Sequence, residues 1–105
     1  MSVIVTVRIS GDPARFEEYA KSNPEAVQGV LDVAKRHGVI AHRFYAGDGD
    51  FMAVDEWPDG ESFKAFFDEA GPQIGPLMEA AGATAEPAVT VWQKMDVGDD
   101  LGWES

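Results

Sequence analysis

The sequence predicts an α+β domain with the element order β-α-β-β-α-β, and three observations carry that prediction. Residues 38 to 67 hold two strands rich in β-branched and aromatic residues, a glycine-rich turn between them, and a capped amphipathic helix directly after. An alternating apolar strand opens the chain, and another stands near its end. Helical spacing separates the first strand from the central hairpin, so one four-stranded antiparallel sheet with helices on one face follows.

Ser2 to Ile9 is the first strand, with Val3, Val5, Val7 and Ile9 on one face and Ile4, Thr6 and Arg8 on the other. Asp12 caps the first helix and Pro13 takes its first position, where a missing N–H costs nothing. Phe16, Tyr19 and Ala20 give that helix its apolar side. Asn23-Pro24 repeats the signal, so the helix kinks or restarts there with Asn23 as cap. Val27, Val30, Leu31 and Ala34 then follow at helical spacing. Lys35, Arg36 and His37 close over the negative end of the dipole, which makes His37 a helix-end residue, and Gly38 supplies the left-handed stop.

The second strand runs from Val39 to Tyr45 and the third from Phe51 to Trp57, joined by Ala46-Gly47-Asp48-Gly49-Asp50 as a hairpin. Pro58 stops the ladder, Asp59 caps the next helix, and Phe63, Phe66, Phe67 and Ala70 form its stripe. Gly71-Pro72 is expected to break the chain, with a short further helix through Ile74, Leu77, Met78 and Ala81 to Gly82. Ala88 to Met95 is the last strand. The domain is thus residues 1–95, followed by an acidic tail, 96–105, expected to be either mobile or a strap over a neighbouring subunit anchored by Leu101 and Trp103.

Composition narrows the partners. With 105 residues, 19 acidic against 8 basic side chains and a formal net charge of -11, the chain repels phosphate backbones and anionic lipid, so nucleic acid and membrane are not expected partners. Cysteine is absent, so disulfides and thiolate chemistry are excluded. No apolar run approaches the ~18 residues of a membrane span, and the start lacks the pattern of a secretory leader. A soluble, cytoplasmic protein is expected. Strands one to three carry apolar residues on both faces, and helices can cover only one. The other face is expected to pack against a second copy, giving a homodimer with a barrel between two sheets.

Gly38 to Tyr45, the short turn, Phe51 to Trp57 and the acidic capped helix with Phe63 and Phe66 together resemble the dimeric α+β barrel superfamily, most closely its antibiotic-biosynthesis-monooxygenase type. The resemblance implies a ferredoxin-like fold, a homodimer, and a small apolar or aromatic ligand, with cofactor-independent oxygenation among the activities of the superfamily. Its haem-degrading branch carries a histidine ligand after the hairpin helix. Between Phe67 and Val89 this chain has no histidine.

The residues offer candidates for chemistry beside bland readings of each. His42, on a strand face with Ile40 and Phe44, reads as a general base or hydrogen-bond donor, or as a histidine satisfied by a neighbouring strand or the dimer partner. Asp55 reads first as a structural partner for backbone or Arg43; paired with His42 it would instead orient a base. Arg43 and Tyr45 share the other face of their strand, where they could stabilise a developing negative charge or make interface ion pairs. Trp57, Phe63, Phe66, Met78 and Trp92 are the expected ligand-binding wall, with packing as the alternative for each. No phosphate loop, nucleophile elbow or metal-ligand spacing is present, so no cofactor and no metal are expected. Three functions fit: a cofactor-free monooxygenase, a non-catalytic ligand-binding or stress-related module, and a muconolactone-type isomerase.

Overall fold

The computed structural model describes residues 1–103; the last two residues of the acidic tail, Glu104 and Ser105, lie outside it. The chain runs β1 (Val3–Ile9), α1 (Pro13–Ser22), α2 (Pro24–Arg36), β2 (Ala41–Ala46), β3 (Phe51–Trp57), α3 (Gly60–Ala80) and β4 (Ala88–Trp92). One antiparallel sheet has the order β2-β3-β1-β4, so the first and third strands are central and both edges are short. This is the expected α+β, ferredoxin-like arrangement.

Alternation decides which side each strand buries. Val5, Val7 and Ile9 of β1 and Phe51, Ala53, Asp55 and Trp57 of β3 all turn toward the helices and are buried. They meet Phe16 of α1, Val33 and Ala34 of α2, and Phe63, Phe66, Ala70 and Leu77 of α3. Phe16 stacks on Phe51 at 4.6 Å and meets the edge of Phe44 at 4.9 Å, which ties α1 to the hairpin. On the opposite side Ile4, Tyr45 and Trp92 are exposed, and Met52 and Val54 are half-buried.

Most caps form as the sequence predicts. Asp12 accepts from the Ala14 amide at 2.9 Å and Asp59 from the Ser62 amide at 2.7 Å. The Ser62 amide bond is the main reason the Asp59 carboxyl sits below its ordinary value. Gly38 and Gly49 adopt φ of 90° and 91° at the helix stop and the hairpin. The first two helices separate at Asn23, but not through its side-chain oxygen: its amide nitrogen donates to the Tyr19 carbonyl, closing α1 rather than capping α2.

Some boundaries differ from expectation by more than one residue. Regular pairing in β2 starts at Ala41, two residues later than expected, and β4 ends at Trp92 rather than Met95. The larger difference is α3, which continues through Pro72 and Pro76 without a break. Each proline removes one backbone donor, but the residue before each is glycine, whose missing Cβ relieves the clash that usually expels that position from the helix. Ala70 and Leu77, on either side of Pro72, are buried against the sheet and hold the helix to it.

Candidate functional site

The hairpin builds the site. The Gly47 amide donates to the Asp50 carbonyl at 2.7 Å, which leaves Ala46 opposite Phe51 and so, four residues back along each strand, His42 opposite Asp55. Both side chains lie on the helix-facing side. His42 Nδ1 and Asp55 Oδ1 are 2.6 Å apart, and the indole Nε1–H of Trp57 donates to Asp55 Oδ2 at 3.1 Å. Asp55 is 5% exposed and is the one buried charged residue among those described. A lone carboxylate there would be costly; two donors offset its desolvation.

These groups border a cavity of about 80 Å³ between the sheet and helices α2 and α3. A single water needs roughly 10–15 Å³ on this measure, so the space suits a small molecule or one ring of a larger one. Its walls are apolar: Phe16 and Phe44 at one side, Val27, Val30 and Leu31 from α2, and Phe66, Ile74 and Met78 from α3. Among the described residues, His42 and Asp55 are its only titratable lining. A carboxylate accepts hydrogen bonds, so the imidazole proton belongs on Nδ1, and Nε2 keeps a lone pair for a ligand proton.

The expected site residues divide between the two sides of the sheet. His42, Asp55, Phe66 and Met78 come together at the cavity. Arg43 and Tyr45 do not: they pair with Val54 and Met52 on the open face, where Arg43 Nη1 lies 3.4 Å from the Tyr45 hydroxyl. Within one chain neither reaches a ligand beside His42, nor can Arg43 partner Asp55, because a strand turns successive side chains to opposite faces. Trp57 has no exposed surface and does not itself line the cavity; it meets the site from behind, through Asp55 and Phe66. Trp92 is opposite Ile4 on the open face, where its indole donates to Thr6 Oγ1 at 2.8 Å. Phe63 lines a separate, shallower groove with Phe67, Val89 and Val91 beside the edge strand β4.

Sequence reasoning missed Phe16, Phe44 and the α2 residues as cavity walls. The signal was present, since Phe44 lies two residues from His42 and Val27, Val30 and Leu31 form one helical stripe. His37 is a helix-end residue, 2.8 Å from Glu69 on α3, and no cluster of three metal-ligating side chains occurs among the described residues.

No protein-family model matches the sequence, and no curated protein does. Solved structures do match. The fold is that of the antibiotic-biosynthesis-monooxygenase-like, dimeric ferredoxin-like proteins. An antibiotic biosynthesis monooxygenase superposes with a TM-score of 0.63 at 14% identity, over 91% of this chain and 100% of that one. SnoaB, a cofactor-independent oxygenase from Streptomyces nogalater, gives 0.58 at 17% identity, over 94% and 98%. A dimeric ferredoxin-like protein from an uncultured marine organism gives 0.64 at 12% identity, over 95% and 93%. At these identities the likeness is one of fold, and function has to be argued from the site.

Proposed function

We propose that this chain forms a homodimer through its open sheet face and binds a small hydroxylated aromatic molecule in the cavity beside His42, which it oxidises without metal or flavin. The observation that carries this reading is a carboxylate–imidazole pair, its carboxylate buried and its imidazole half-buried, as the only titratable lining, among the described residues, of an otherwise apolar cavity. Apolar walls take a ring, and a single imidazole edge selects a ligand with a proton to give. SnoaB, a cofactor-independent oxygenase of the same fold, agrees with that chemistry.

In the step proposed, His42 Nε2 takes a proton from an activated CH₂ group of the ligand. The carbanion passes one electron to dioxygen, and the substrate radical and superoxide join as a peroxide anion, which takes the proton from His42 and becomes a hydroperoxide. His42 then removes the remaining C–H proton as the O–O bond breaks and returns it to the departing hydroxide, leaving a carbonyl and water. The balance is CH₂ plus O₂ to C=O plus H₂O, with all electrons supplied by the substrate and the base regenerated. Asp55 orients the imidazole and stabilises its charged form.

A second reading has its own support: both Asp55 oxygens are already engaged by protein donors, which suits a structural pair in a module that only binds. Oxygen consumption with a hydroxylated anthracene-type probe separates the two. Turnover in the native protein, reduced roughly 100-fold or more in His42→Ala, supports oxygenation. Probe binding with no oxygen uptake supports the binding module, and no binding at all defeats both.

A further inference from the structure

We propose that Trp57 is a positioning residue for the His42–Asp55 pair, its indole N–H fixing the Asp55 carboxylate so that His42 keeps its proton on Nδ1. For its catalytic meaning this rests on the function proposed above; its geometry does not.

An indole nitrogen can donate and cannot accept. Trp57 is fully buried, so its N–H needs a partner inside the protein, and Asp55 Oδ2 is that partner at 3.1 Å. Asp55 and Trp57 stand two apart on β3 and share its helix-facing side, so no loop has to hold them in register. The indole is itself held, with Phe66 tilted against it at 5.2 Å and the edge of Phe63 at 5.7 Å.

A carboxylate bound through one oxygen still turns about its terminal torsion, which is soft for an sp³–sp² bond. Here the two oxygens are engaged separately: Oδ1 by His42 and Oδ2 by Trp57. Rotation would break one buried hydrogen bond or the other. The plane of the carboxylate is therefore set by the core, and the carboxylate sets which imidazole nitrogen carries hydrogen. Among the described residues, no other titratable group lines the space around His42.

The test is nitrogen NMR of His42 in the unliganded protein, at a pH where the ring is neutral. In the native protein the Nδ1–H tautomer predominates. Trp57→Phe keeps a ring and deletes the donor, and the Nε2–H share is expected to rise severalfold. Phe63→Leu loosens the packing around the indole while leaving the donor, and should not change the ratio. An unchanged ratio in a folded Trp57→Phe overturns the proposal. Should that variant fail to fold, the native protein decides. The Trp57 indole resonance must then move through the His42 titration with the same midpoint, while those of Trp92 and Trp103 stay still. A flat Trp57 resonance overturns the proposal equally. None of these measurements uses a ligand, so failure of the aromatic probe to bind leaves the tautomer result standing.

Discussion

Removing the Asp55 carboxylate strands the buried Trp57 N–H without an acceptor, whereas removing the His42 imidazole leaves Asp55 with one donor and a route to water through the cavity. A buried polar group left unpaired costs about 1–3 kcal/mol, so Asp55→Ala is expected to destabilise by roughly 2–3 kcal/mol and to exceed His42→Ala. Urea denaturation of the two variants checks it; equal losses would mean the Trp57 bond contributes nothing. The separation of faces was legible in the sequence: His42 and Arg43 are neighbours on a strand and must point apart. Their partners were less so. Whether Asp55 meets His42 depends on hairpin register, and register depends on how Gly47 and Asp50 close the turn. Five turn-forming residues in a row admit more than one closure, and the choice became visible only with the backbone in place.

At the scale of elements, the sheet and the first two helices were readable because caps, glycines and alternation agreed. The second half of α3 was not, because proline is read as a stop signal and the compensation lies elsewhere, in glycines placed before it and in burial of Ala70 and Leu77. Tertiary packing outweighed local propensity there. The α2–α3 seam carries a testable electrostatic clamp: Glu69 accepts from Arg36 at 2.6 Å and lies 2.8 Å from His37. Arg36 first, then His37, lowers the Glu69 carboxyl below its ordinary 4.5. A carboxyl lowered on folding stabilises above its unfolded value and loses that contribution as pH falls through the folded one. Glu69→Gln should therefore unfold slightly earlier in urea than the native protein at neutral pH, and the gap should close as pH falls below 4.5. A gap that persists into strong acid would assign the effect to packing. The pair is exposed, so the gap is expected to be small.

For the whole molecule, the proposed dimer has to overcome charge. Each protomer carries a formal -11, so two copies repel over distance, and only the open face offers a reason to associate. That face presents Ile4, Tyr45 and Trp92 exposed, with Met52 and Val54 half-buried at its centre. Its basic side chains, Arg8 and Arg43, are too few to offset the net charge, which makes apolar burial the attractive term and long-range repulsion the opposing one. Salt screens the second and leaves the first, so dissociation should weaken as ionic strength rises, the reverse of an interface held by ion pairs. Sedimentation of the native protein is expected to give about twice 11.4 kDa, with the monomer fraction growing at low salt. Val54→Asp puts one more negative charge at the middle of the face, yet Val54 lies outside the buried core, so the monomer should still fold. The variant should sediment at 11.4 kDa with native circular dichroism. A native protein that stays monomeric at every salt concentration would leave the open face without a partner and remove the dimer from the proposed function, while the His42 cavity, on the other side of the sheet, would remain to be tested by itself.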